Sequence, residues 1–206
     1  MNTFKLALFV ALALSACKKT EDKAPVAPVA QPAGSAAVAP VSTADHITVL
    51  GHHKNPKPTD PVHINFDTFK VVKADFDPKK VEGGTATIEI DLSSFHTDSD
   101  ERDDHLKSPA YMDVGKFATA TIDVANVKKQ AGDRYAADAT VSIHGMSKTY
   151  PVTFDVVETK DDSIRIKGTH TFQRLDFGIG TDPAQNGEEQ VGTDLTIEMV
   201  LTLKKS

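Results

Sequence analysis

Tryptophan is absent from this 206-residue chain, and cysteine occurs once. A lone Cys makes no internal disulfide and builds no thiolate zinc site, so neither staple is available to the fold. Basic residues are scarce beside acidic ones: beyond position 17, 22 Lys and Arg stand against 29 Asp and Glu, a net charge of −7. Affinity for nucleic acid comes largely from basic side chains that displace counterions, so no nucleic-acid partner is expected. Catalytic signatures are missing as well: the sequence has no G-x-S-x-G elbow and no H-E-x-x-H helix. Ser, His and Asp are plentiful, but sequence order alone assembles no triad. The chain is expected not to be an enzyme.

The main apolar run, Leu6 to Leu14, follows Lys5 and ends in Leu14-Ser15-Ala16-Cys17. It is about half of the roughly 20 residues that span a bilayer. A basic start, a short apolar stretch and small residues at the cut make an export signal over residues 1–16. Leu-Ser-Ala-Cys resembles the lipobox of bacterial lipoproteins, which implies that Cys17 takes diacylglycerol and further acyl chains such as palmitate. The alternative is a secreted protein whose cysteine is incidental. Two or three acyl chains anchor stably where one does not. Lys18 rather than Asp follows the cysteine. By analogy with enterobacterial sorting, the expected location is the cell envelope, at the outer membrane facing the periplasm. Residues 17–44 complete the anchor and form a tether, with Pro at 25, 28, 32 and 40. Proline precludes a continuous helix there, and an extended tether of this length reaches about 80 Å.

From Asp45 to Ser206 the pattern changes to period two. Ala86, Ile88, Ile90 and Leu92 alternate with polar residues, as do Tyr135, Ala137, Ala139, Val141 and Ile143. Val152, Phe154 and Val156 repeat the phase, as do Ile164 with Ile166, and Leu195, Ile197, Met199, Leu201 and Leu203. Two further strands fit Ile64 to Phe76 and Ala118 to Val127. One wet face and one dry face mark antiparallel sheets, and many such strands bury their dry faces as a barrel or sandwich. The fold class is all-β with one or two short helices. Asp98 with Glu101 reads as a capping box, and Ser108-Pro109 as the start of a second short helix running to Gly115.

Three constellations bear on chemistry. The acidic run Asp98 to Asp104 fails the calcium-loop pattern, with Arg102 at the third ligand position, and reads as a dipole-matched helix start. His46, His52, His53 and His63 could form a weak surface metal site, although adjacent strand residues point to opposite faces. A polar strand edge is the other account of them, and no metal site is assigned. His170 shares parity with Ile164, Ile166, Gly168 and Phe172, so its imidazole points inward. There it is either a hydrogen-bonded structural group or a polar handle for a ligand.

Three local words then become recognisable. Arg102-Asp103-Asp104-His105-Leu106-Lys107-Ser108, followed by Met112-Asp113-Val114 and Phe117-Ala118-Thr119-Ala120, resembles the R-D-x-H-L-x-S segment of the YceI-like family. Ile143-His144-Gly145-Met146-Ser147-Lys148 with Pro151-Val152 resembles its T-I-x-G-x-T-K-P-V hairpin. Arg174-Leu175-Asp176-Phe177-Gly178 resembles its R-x-D-F-G word. Two features depart from the pattern. The opening strand Ile47 to His53 replaces an aromatic-led strand, and Thr149-Tyr150 is inserted before Pro151.

The resemblance implies an antiparallel, lipocalin-like β-barrel of about eight strands that holds a long apolar chain, such as a polyisoprenoid or fatty-acid-like lipid. An eight-stranded barrel is either filled by side chains or holds one slender ligand. Expected lumen residues are Phe66, Ile88, Ile90, Phe117, Ile122, Ala137, Ala139, Val141, Ile143, Phe154, His170, Phe172, Phe177, Ile197 and Met199. Arg102, Asp103 and His105 are expected to clasp the helix to the barrel, and Arg174 to pair with Asp176 near the mouth. No cofactor is expected beyond a bound isoprenoid or acyl lipid. The competing accounts are a filled barrel acting on an envelope partner, and a weak histidine-based metal binder. A homodimer is left open.

Overall fold

Branched and aromatic residues at every second position pack one face of a strand and leave the other to water. Among the described residues that rule builds ten strands, where about eight were expected. They are β1 His46–His53, β2 Val62–Phe66, β3 Phe69–Asp77, β4 Lys80–Asp91, β5 Phe95–His96, β6 Thr119–Lys129, β7 Arg134–Ile143, β8 Met146–Thr159, β9 Ser163–Gln173 and β10 Val191–Lys204. The computed structural model describes residues 44–55, 57–182 and 191–206. The export signal, Cys17 and nearly all of the tether lie outside the described residues.

All ten strands join one antiparallel sheet, in the order β3-β4-β6-β7-β8-β9-β10-β1-β2-β5. The sheet curls, so inward residues of β1, β3, β4, β6, β7, β9 and β10 share one core that includes Ile47, Ala74, Ile88, Ile122, Ala139, Ile164 and Leu201. At one end the chain terminus draws the curl together. Ser206 N donates to Ala74 O at 2.8 Å, and Ala74 N donates to Ser206 Oγ at 2.9 Å, tying the residues after β10 to β3. Asp45 braces the same end by accepting from Arg165 Nη1 at 2.8 Å and Thr202 N at 2.9 Å.

One expected strand is two. Ile64 to Phe76 breaks at Asp67-Thr68, because β2 pairs with β1 whereas β3 pairs with β4. The chain crosses the sheet opening at this break. The β7–β8 hairpin turns through His144 and Gly145, with φ of 55° and 76°, and Ile143 pairs with Met146 across it. Two successive positive φ values make the tight primed turn that suits strand twist, and Gly145 accepts its value without strain.

The helical expectations need two corrections. Helix α1, Asp100–Lys107, is capped by Ser99, whose side chain accepts from Arg102 N; Asp98 instead pairs with the Arg102 side chain. No second helix follows Ser108. Pro109 keeps Ser108 extended (φ −67°, ψ 164°), and Asp113 adopts a left-handed φ of 45°, so residues 108–117 fold as consecutive turns.

Candidate functional site

The curled sheet encloses an apolar chamber of about 140 Å³. Phe66, Ile88, Ile90, Ile122, Ala139, Val141, Ile143, Phe154, His170, Phe172, Ile197 and Met199 line it, all of them expected there. Three expected residues do not. Phe117 sits at the hairpin turn, its ring 4.5 Å from that of His144. Ala137 is buried in the filled part of the core. Phe177 belongs to a second cluster with Tyr111 and Ile179, and packs edge-on behind Phe172 at 5.8 Å. Lining residues not expected there include Ile47, Val49 and Tyr150. Tyr150 had a visible signal, since it shares parity with Val152 and Phe154.

A second, larger chamber of about 550 Å³ adjoins the first. Val49, Phe66, Ile143 and Phe172 line both, and so form a collar between them. Upper β1 and β2, helix α1, the turn at Ala110 to Met112 and the segment Ile179 to Thr181 wall the outer chamber. Its polar lining comes from His52, His53, Arg102, His105, Arg174 and Thr181, with no carboxylate. His53 Nδ1 lies 2.6 Å from Asp60 Oδ1, and that contact, with the Lys57 N–H, holds the Asp60 carboxyl down to about 2. Among the described residues no group of three or more His, Cys, Asp or Glu is placed to hold a metal ion. His46, His52, His53 and His63 are thus not gathered into one.

The inner walls present carbon almost throughout, and His170 is the one titratable imidazole among their lining residues. Its ring lies 5.2 Å from Tyr150, and its strand partner on β10 is Ile197. Burial pushes the imidazole below the ordinary histidine value. An unfolded chain therefore takes up this proton more readily than the folded one, and stability falls as pH drops below about 6.5. His170→Phe removes that penalty. In thermal melts from about pH 7.5 down to about pH 5.5, the variant is expected to gain on the parent as pH falls. A constant difference would show that His170 stays equally protonated in both states.

Residues 41–203 match the family model of the YceI-like domain, which is most of the chain. The chain belongs to the YceI-like family. A UPF0312 protein of Yersinia pestis is 34% identical over 136 residues, covering 63% of this chain and 66% of that protein. A UPF0312 protein of Vibrio cholerae is 23% identical over 109 residues, and this chain spans only 58% of its length. Among solved structures, Burkholderia cenocepacia BcnA superposes with a TM-score of 0.66 at 22% identity, covering 77% of this chain and 96% of BcnA. A polyisoprenoid-binding domain from Saccharophagus degradans gives 0.61 at 17% identity, with 80% and 95% covered. At such identities the superpositions establish a shared fold.

Residues of all three YceI-like words line the outer chamber, among them Arg102, His105, Ile143 and Arg174. Asp103 is the residue of the first word that clasps: its Oδ1 accepts from Thr97 N at 2.8 Å and Thr97 Oγ1 at 2.7 Å, fixing α1 to the end of β5. Arg102 makes an exposed pair with Asp98, and the His105 ring tilts against Tyr111 at 4.8 Å. Asp103→Ala is expected to cost about 1–2 kcal/mol in denaturant unfolding, since it strands a part-buried N–H and hydroxyl of Thr97. A loss near zero would show that α1 is held by its apolar contacts alone.

In the R-x-D-F-G word, Arg174 does not pair with Asp176. Arg174 is 1% exposed, and it donates to the carbonyls of Gly192 at 2.9 Å, Ile179 at 2.6 Å, Thr181 at 2.8 Å and Val191 at 3.2 Å. Asp176 faces β8, where Lys148 Nζ lies 2.5 Å away and Tyr150 Oη donates at 2.9 Å. These contacts hold the Asp176 carboxyl below its usual range, and burial pushes the Tyr150 hydroxyl up.

Proposed function

We propose that this chain is a non-enzymatic lipid-binding module of the cell envelope, tethered through Cys17, whose barrel sequesters a long apolar chain of polyisoprenoid or fatty-acyl class. The observation that carries this is the pair of adjoining chambers joined at an apolar collar of Val49, Phe66, Ile143 and Phe172. A dry apolar cavity the size of the inner chamber accepts a small hydrocarbon group. The outer chamber falls within the range of ordinary ligand pockets. The fold shared with a polyisoprenoid-binding domain supports the same class of ligand. The anchor rests on the lipobox-like Leu14-Ser15-Ala16-Cys17, followed by a proline-broken spacer long enough to hold the barrel clear of the bilayer.

Binding is tested by titration with N-phenyl-1-naphthylamine. Fluorescence is expected to saturate at one equivalent and to be reversed by long-chain lipid. A linear, unsaturated rise would contradict a lumen site and favour the filled barrel. For the anchor, Cys17→Ser is expected to move the protein from the membrane fraction to the soluble periplasmic fraction. Unchanged membrane association would contradict lipidation at Cys17.

A further inference from the structure

His170 Nε2 is the one buried side-chain polar atom among the described residues without a hydrogen-bond partner. Its place makes that informative. His170 lines the inner chamber but not the outer one, whereas Phe172, two residues along the same strand, lines both. Residues two apart on a strand point the same way about 7 Å apart. The imidazole therefore stands one side-chain step inside the collar. Beside it are the Tyr150 ring and its strand partner Ile197, neither of which gives it a hydrogen bond. The Tyr150 hydroxyl is turned away to Asp176. A buried polar atom in a well-packed core normally finds a partner, and one left without it is a place where a partner from outside fits.

We infer that His170 Nε2 is a hydrogen-bonding site for a neutral polar group, a hydroxyl or carbonyl, borne by the apolar ligand and lodged in the inner chamber. Several features favour a neutral group. The inner walls carry no cation to balance an anion, and the basic side chains all belong to the outer chamber. Burial lowers the imidazole's affinity for a proton, and a neutral imidazole offers a donor on one nitrogen and an acceptor on the other. The chamber volume of about 140 Å³ admits a small group, so most of the chain would lie beyond the collar in the larger space. Selectivity follows. A site with a hydrogen-bonding atom to satisfy discriminates against the analogue that lacks the matching group more sharply than an apolar wall discriminates by length.

This inference rests on the lipid-binding proposal, and farnesol and farnesene, a terpenoid alcohol and its hydrocarbon counterpart, separate the two. Dissociation constants are measured by displacement of N-phenyl-1-naphthylamine from the parent protein, His170→Phe and His170→Gln. The parent is expected to prefer farnesol by about tenfold, the size of one neutral hydrogen bond. His170→Phe is expected to lose that preference while binding farnesene at least as well, and His170→Gln to keep it. The ligand-free His170→Phe protein is also expected to melt higher than the parent at neutral pH, because an unpaired polar atom is gone. A purely structural histidine would give a lower melt. Equal farnesol preference in parent and His170→Phe overturns the His170 inference and leaves the lipid-binding proposal standing. Failure of both compounds to displace the probe from the parent overturns both.

Discussion

Arg174→Met is expected to cost about 4 kcal/mol of folding stability, the largest loss of any single substitution considered. The guanidinium is buried, and its four hydrogen bonds all end on the backbone carbonyls of Ile179, Thr181, Val191 and Gly192. Methionine fills comparable volume but donates nothing, leaving those carbonyls without their charged partner beside an apolar chamber. Arg174→Lys keeps the charge but not the planar fork that reaches several acceptors at once, and is expected to recover only part of the loss. Gly180 supplies an independent check. A Cβ there would stand 2.6 Å from Arg174 Nη1 and 3.0 Å from the Tyr111 ring, at a φ of 69°. Gly180→Ala therefore unseats the same side chain from the other side and is expected to lose about 2 kcal/mol. Denaturant unfolding reads all three. A loss below about 1 kcal/mol for Arg174→Met would mean that these four carbonyls find other partners and the arginine merely occupies space.

Ala139→Phe is expected to reduce lipid affinity by at least about tenfold with little change in melting temperature. Ala139 lies on β7 between Tyr150 of β8 and Val124 of β6, and its methyl faces the inner chamber. A benzene-sized void accepts a phenyl ring with modest strain, so the substitution spends the ligand's volume rather than the protein's packing. Ala137→Phe has the opposite signature. Ala137 is inward and 5% exposed, but it lines neither chamber, so the added ring has no void to enter. Overpacking there is expected to cost about 1–3 kcal/mol. Probe affinity and thermal melts, measured on both variants, separate a lumen position from a core position two residues away. Unchanged affinity in Ala139→Phe would place the ligand elsewhere.

Much of the barrel was legible because alternation is a local signal. Ala86, Ile88, Ile90 and Leu92 all face the core, as the period of two required. The split between β2 and β3 was missed although the apolar parity shifts from Ile64 and Phe66 to Phe69 and Val71, and the two strands also find different partners. The helix start shifted by one residue for a related reason. Both Asp98 and Ser99 can cap, and Arg102 draws the Asp98 carboxylate away into an ion pair. Parity placed twelve expected side chains on the inner chamber, yet it cannot tell a lining residue from a core residue on the same face. Ala137 and Ala139 show this. The collar was beyond sequence altogether, since Val49, Phe66, Ile143 and Phe172 come from four strands that only the curl of the sheet brings together. The Arg174–Asp176 pairing failed because a 3-10 turn over Arg174–Phe177 sends the arginine toward the carbonyls of Ile179, Thr181, Val191 and Gly192, while Asp176 meets Lys148 and Tyr150 of β8.

The central claim is that the barrel carries an apolar chain. Native mass spectrometry of the protein, purified from the cell envelope and exchanged free of detergent, tests it most directly, with organic extraction of whatever is bound. The account predicts a complex heavier than the protein by the mass of one isoprenoid or acyl lipid bearing a neutral polar group. A protein that is empty on isolation and stays empty after incubation with envelope lipid extract would contradict it.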